Sequence, residues 1–258
     1  MTRVIGLFFI ILFSSSIPVE KTIGNKDKVL LTSVFDKLTS DPIASLYEEL
    51  GLQEKLNFDI FEKALMGYEQ LSAPNKDIFS IIDFTKPSTE KRLFVIDIKN
   101  KKVLYHSLVS HGRNSGDLYA RSFSNKHGSY QSSVGFYETS NTYFGGNGFS
   151  LRLEGLERNI NDQARARAIV IHGADYCSED FIKRTGRLGR SYGCPALPRE
   201  LNKPIINTIK QGSLLFIYAD EPTYFANSEI LKKGTKRKLL AELPTPQQEN
   251  TAQAGVMQ

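Results

Sequence analysis

The sequence predicts a mainly β, α+β fold: a mixed sheet or β-sandwich-like barrel preceded by N-terminal helices. Three observations predict it. Apolar residues recur at helical spacing over 58–71, ahead of the strands. From about residue 78 the pattern changes to short β-rich runs separated by turn residues. Apolar residues make up 40% of the 258 positions, enough for a sizeable core in one large domain or a domain with a smaller appendage.

The elements follow in order. Residues 41–51 read as a short helix, with Asp41 as cap, Pro42 at the first helical position and Gly51 as terminator. Residues 58–71 read as an amphipathic helix whose stripe is Phe61, Ala64, Leu65, Tyr68 and Leu71. Ile78 to Phe84 is an apolar run interrupted by Asp83. Arg92 to Ile98 and Val103 to Val109 flank the turn Lys99-Asn100-Lys101, which makes a hairpin. Residues 110–133 are rich in Gly, Ser and Asn and read as a loop. So long a loop inside a compact domain marks a functional surface. Further strands are expected at 134–139, 149–153, 168–172 and 213–218, with Leu214 to Tyr218 the last core strand. Gly145-Gly146-Asn147-Gly148 reads as a turn, because no Lys-Ser/Thr follows it as in a phosphate loop.

The two ends carry targeting and charge signals. Arg3, the apolar run Val4 to Phe13 and Ser14-Ser15-Ser16 have the layout of a secretory signal peptide over residues 1–16. That run is short for a membrane span, which needs ~20 residues, so an uncleaved anchor is the second reading. The expected location is the periplasm or cell envelope. Residues 17–77 would form the N-terminal helical segment, 78–220 the main domain and 221–258 a basic, polar tail. The net charge is +5, and Lys232, Lys233, Lys236, Arg237 and Lys238 concentrate it. A solvated tail is the plain reading, and weak attraction to an anionic envelope polymer the functional one. Pro244 and Pro246 open the polar C-terminal stretch. Nucleic acid is not an expected partner of an exported chain without a recognition motif.

The chemistry concentrates in few residues. The chain has two cysteines and four histidines. Cys194 lies in Arg190-Ser191-Tyr192-Gly193-Cys194-Pro195, and His172-Gly173 ends the apolar run 168–171. A thiol nucleophile needs an imidazole to take its proton and N–H groups to hold an oxyanion. His172 can be the base, and Gly193 lets the backbone turn. A Cys177–Cys194 disulfide is the alternative in an exported chain, and it would cap the nucleophile. His106 and His127 carry no assigned role. The histidines and cysteines match no zinc spacing, and no cofactor is expected.

These signals, taken in order, resemble the murein L,D-transpeptidase catalytic domain family over roughly residues 80–220. The segments are Ser110-His111-Gly112-Arg113-Asn114-Ser115-Gly116, Ser132-Ser133-Val134-Gly135-Phe136-Tyr137, Tyr143-Phe144-Gly145-Gly146, Ser150 to Leu156, Ile169 to Tyr176, and Gly186 to Pro198. The chain departs from the family's common form in having Tyr192 where a histidine is usual. It has Pro195-Ala196-Leu197 where Arg or Asn is usual. Its gap of eighteen residues between His172 and Ser191 is long.

The resemblance implies an L,D-transpeptidase-like catalytic domain acting on peptidoglycan stem peptides. Cys194 would form a thioester, and His172 would be the base, oriented by the Gly173 carbonyl. Asp175 would not be a third triad member. The N–H groups of Tyr192, Gly193 and Cys194 would bind the oxyanion. Ser191 would shape the turn or bond near the histidine. Arg187 and Arg190 would hold a substrate carboxylate, and His111 would sit near the cleft as a substrate-binding or structural group. Transfer to water would make the same site an L,D-carboxypeptidase or endopeptidase. With a Cys177–Cys194 bridge, the domain would instead bind cell wall without catalysis.

Overall fold

The computed structural model describes residues 42–242. The expected signal segment at 1–16, the Asp41 cap and the stretch opened by Pro244 and Pro246 lie outside them. Two helices lead: α1 (Pro42–Glu49) and α2 (Phe58–Gln70). Asn57 caps α2, its side chain accepting from Asp59 N at 2.7 Å. Eight strands follow: β1 (Asn75–Asp83), β2 (Leu93–Asp97), β3 (Lys102–Ser107), β4 (Gly135–Gly145), β5 (Gly148–Gly155), β6 (Val170–Gly173), β7 (Ala196–Leu197) and β8 (Ser213–Tyr218). Helix α3 (Glu179–Thr185) lies between β6 and β7, and α4 (Arg199–Ile209) between β7 and β8. Helices α5 (Pro222–Asn227) and α6 (Glu229–Glu242) follow β8.

The strands form one mixed sheet in the order β3-β2-β1-β8-β4-β5-β6-β7. β1 and β8 pair in parallel at its middle. Every residue of β8 is buried, as is every residue of β1 from Phe79 on. Such strands are covered on both faces, so they read as continuous apolar runs rather than alternating ones. The segment leaving edge strand β3 then crosses to the opposite edge. Ser110 bridges Ala196 of β7, and Gly112 bridges Ser191. The sheet therefore nearly closes on itself, which decides between the sandwich and barrel expectations in favour of a single barrel-like sheet.

The N-terminal helices belong to this body. Phe61 and Leu65 of α2 share one apolar core with Phe79, Phe136 and Phe216. Gly67 makes the approach possible, since a Cβ there would lie 2.0 Å from Cζ of Phe136. Phe136 in turn stacks on Phe216, centroids 4.3 Å apart, across the β4–β8 pair.

The expected tail from residue 221 is corrected: residues 222–242 are almost wholly helical. Helix α6 packs against α2, with Gln70 Nε2 donating to Ile230 O at 3.0 Å. Lys232 pairs with Glu229 within α6. Buried Glu157 anchors this end, accepting from Phe136 N, Tyr224 Oη and Ser228 Oγ.

Candidate active site

Strand β6 carries His172 and pairs in parallel with β7, His172 opposite Ala196. Extending that register back by two residues sets Cys194 beside Val170. Strands rise about 3.3 Å per residue, so the thiol and imidazole start roughly two residue rises apart along the strand direction. This offset explains what the thiol touches. Cys194 Sγ accepts from Val170 N at 3.4 Å and donates toward Ala168 O at 3.7 Å. The expected thiol–imidazole hydrogen bond is not made in this conformation, although both side chains line one cleft of about 740 Å³.

His172 is oriented as anticipated. Its Nδ1 lies 3.1 Å from Gly173 O, so Nδ1 carries the proton and Nε2 is left as acceptor. Burial pushes the imidazole below its ordinary range, with Arg199 adding in the same direction and the Gly173 bond opposing it. Burial raises the Cys194 thiol, and the Val170 N–H and the Arg167 guanidinium pull it partly back. Both shifts favour neutral forms. Both directions run against a thiolate–imidazolium pair. Asp175 is no third member: exposed, it pairs with Arg199 at 2.5 Å and 3.0 Å.

The turn before Cys194 is held by Ser191. Its hydroxyl donates to Cys194 O at 2.6 Å and accepts from Gly193 N at 3.0 Å. Ser191 is thus a clasp of the turn and forms no hydrogen bond with His172. The same bond corrects the oxyanion expectation, because it occupies the N–H of Gly193. The N–H groups of Tyr192 and Cys194 donate to nothing among the described residues. Gly193 has φ +124°, and a Cβ there would lie 2.8 Å from Gln131 O. Only glycine fits this turn.

Of the two roles expected for His111, its contacts fit the structural one. It is buried behind the cleft rather than lining it. Buried Arg92 donates to its Nδ1 at 2.8 Å, and its Nε2 donates to Gly116 O at 3.2 Å. Arg187 and Arg190 do line the cleft, but both are engaged. Arg190 Nη1 donates to Arg113 O, Gly116 O and Asp117 Oδ1, the last at 2.6 Å. Arg187 Nη1 donates to Leu188 O, and its Nε lies 3.9 Å from Asp117.

Sequence reasoning missed three cleft residues, Arg167, Arg113 and Tyr176. Arg167 precedes β6 and ties down the long loop, donating to Ser124 O and Gln131 O, each at 2.6 Å, and to Ser129 Oγ and Ser133 Oγ. A cation leading straight into the strand that carries His172 was the available signal.

Cys177 is fully buried in a separate apolar cluster with Leu108, Ala174, Leu188 and Ala196. Both cysteines are free, so the Cys177–Cys194 bridge is not formed. Burial pushes the Cys177 thiol up to about 12. Among the described residues, no three His, Cys, Asp or Glu side chains converge as a metal-binding group.

The chain resembles an L,D-transpeptidase from Mycobacterium smegmatis at 11% identity, over 57% of this chain and 60% of that one, with a TM-score of 0.36. It resembles the L,D-transpeptidase (Yku) of Stackebrandtia nassauensis at 13% identity, over 70% and 77% of the two chains, with a TM-score of 0.34. The helical cell shape determining protein Pgp2 of Campylobacter jejuni matches at 16% identity, over 70% and 62%, with a TM-score of 0.38. The chain thus spans about three fifths of the length of the mycobacterial protein. No curated protein sequence matches it. The family model for the L,D-transpeptidase catalytic domain matches residues 52–218, well over half of the sequence. By that match, the chain belongs to the L,D-transpeptidase catalytic domain family.

Proposed function

We propose that the protein is an exported peptidoglycan L,D-transpeptidase that forms or exchanges stem-peptide bonds through a thioester on Cys194. The observation that carries this reading is the pairing of two groups in one cleft. His172 has its Nδ1 proton committed to Gly173 O, which leaves Nε2 as the base, and Cys194 lies on a turn closed by Ser191.

In the first half-reaction, Sγ loses its proton to Nε2 of His172 and attacks the stem-peptide carbonyl. The S–C bond forms as the carbonyl π pair moves onto oxygen, and collapse of that tetrahedral oxyanion breaks the C–N bond, the departing amine taking the proton from the imidazolium. In the second, the acceptor amine gives a proton to His172 and attacks the thioester, releasing the thiol. With both shifts favouring the neutral forms, His172 acts as a general base, the proton moving as the S–C bond forms. The free N–H groups of Tyr192 and Cys194 would hold the oxyanion, each donor worth ~3 kcal/mol in other acyl-transfer enzymes. Rotation of the thiol away from Val170 N and Ala168 O is needed first, and two long sulfur hydrogen bonds oppose it.

Export and envelope location rest on the reading of residues 1–16. Incubation of the purified enzyme with a tetrapeptide donor and an amine acceptor tests the reaction. The wild type should give the acyl-transfer product, and Cys194→Ala should give none. Turnover unchanged by that substitution would remove Cys194 from the chemistry.

A further inference from the structure

Four guanidinium groups line the cleft, those of Arg113, Arg167, Arg187 and Arg190. Three of them already have oxygen partners. Arg167 donates to two carbonyls and two hydroxyls, Arg190 to two carbonyls and Asp117, and Arg187 to Leu188 O beside Asp117. The Arg113 guanidinium has no oxygen acceptor among the described residues. It packs instead over the faces of two adjoining rings, its Cζ 4.7 Å from the ring centroid of Tyr130 and 5.1 Å from that of Tyr192.

That platform is built rather than incidental. The two rings contact each other, centroids 4.8 Å apart. Tyr130 adopts φ +54°, a left-handed conformation uncommon for an aromatic residue. Three hydrogen bonds hold it there: Asn114 N to Tyr130 O, Asn114 Nδ2 to Ser129 O and Gln131 Nε2 to Asn114 O. Arg113 N donates to Ser191 O at 2.8 Å, which fixes its backbone to the turn that carries Cys194. Tyr192 is 65% exposed and lies two residues before the nucleophile. Stacking leaves the edge of a guanidinium, where its N–H donors point, open for a planar oxyanion.

We propose that Arg113, stacked on the paired rings of Tyr130 and Tyr192, is the receptor for a free carboxylate of the peptide substrate. The assignment rests on the peptide-acylation reading above and names the group that selects its substrate. It replaces Arg187 and Arg190, whose donors are engaged with Asp117 and backbone carbonyls. The two tyrosines act as positioning residues. They restrict the guanidinium before the substrate arrives, which lowers the ordering cost of binding.

Equilibrium binding to the full-length Cys194→Ala protein provides the test, using a stem tetrapeptide with free carboxylates and the same peptide fully converted to carboxamides. Arg113→Gln should weaken the free-acid peptide by about 10–100-fold and the amidated one by less than about 3-fold. Arg113→Lys should fall between, because the charge remains while the planar fork is lost. Tyr192→Leu should weaken the free acid by about 3–10-fold, in line with an exposed cation–π contact. With Cys194 restored, Arg113→Gln should raise KM and leave kcat within about 3-fold. An unchanged unfolding midpoint for both Arg113 variants accompanies the expected result. Equal weakening of both peptides by Arg113→Gln, or none, would overturn the carboxylate assignment while leaving the acylation reading intact. Failure of both peptides to bind the Arg113-intact protein would overturn both.

Discussion

Arg92 Nη2 donates to His111 Nδ1 at 2.8 Å, and both side chains are buried. The bond dictates a protonation state. A guanidinium can only donate, so Nδ1 must accept and Nε2 must carry the proton that reaches Gly116 O. Burial first, and then the Arg92 charge, hold His111 down to about 3. His111 is therefore a neutral pin between buried Arg92 and the 111–117 loop that accepts from Arg190.

This pin makes stability depend on pH in a defined direction. The folded-state value is about 3, against an ordinary value near 6.5. Above the ordinary value neither state is protonated, and the contribution is complete. As pH falls from there toward 3 the unfolded chain takes up the proton first, and stability is lost. Each unit is worth ~1.4 kcal/mol, so the total is several kcal/mol. His172 and His106 are shifted the same way, so the comparison must be between proteins. Urea unfolding at pH 7 and pH 4.5 should show a smaller pH-dependent loss for His111→Asn than for the wild type. Equal losses would place the titration elsewhere.

The Ser191 clasp gives a second prediction. Ser191→Ala removes the partner of both Gly193 N and Cys194 O. We expect a destabilisation of ~1–2 kcal/mol. We also expect a larger fall in kcat than rise in KM, because the turn presents the oxyanion donors rather than the ground-state substrate. A KM-only effect in steady-state kinetics would contradict the clasp.

A third concerns the helix–sheet contact at Gly67. An added Cβ would overlap the Phe136 ring, so Gly67→Ala should cost ~2–4 kcal/mol despite alanine's better helix propensity. Phe136→Leu should recover part of that loss in the double variant, since it removes the obstructing ring. Additive destabilisation in a double-mutant cycle would show that the two sites do not meet.

Much of this was legible in the sequence, and what was not has physical reasons. The β2–β3 hairpin and β8 were readable because buried strands concentrate β-branched and aromatic residues. Helix α4 was missed because Pro204 lies inside it, yet burial of Ile205, Ile206 and Ile209 holds the helix. Strand β7 has only two residues, too few for any period. The residues of α6 read as a tail because their charge hides what is needed to pack on α2. His172 with Gly173 and the Cys194 turn were readable because their chemistry is local. The engagement of Arg190 was not, since its acid partner Asp117 is 73 residues away. Nor was the burial of His111, which depends on Arg92 across the barrel edge.

The protonation state of the pair yields the fourth prediction. Burial lowers His172 and raises Cys194, so little thiolate exists at neutral pH. Alkylation of Cys194 by iodoacetamide should be slow at pH 7 and rise continuously beyond pH 9. The acid limb of kcat/KM should fall below the ordinary histidine value of 6.5. Cys177, buried and pushed up to about 12, should react only after unfolding, so a native titration should count one thiol and a denatured one two. A rate flat from pH 5 to 8 would indicate a thiolate–imidazolium pair instead.

The nucleophilic role of Cys194 is tested most directly by intact-mass analysis after exposure to a carbapenem, an acylating agent that traps the thioester. One adduct should form on the wild type and map to the peptide containing Cys194. Cys194→Ala should carry none, and His172→Gln should acylate at least about 100-fold more slowly. An adduct that persists in Cys194→Ala, or maps to Cys177, would contradict the assignment.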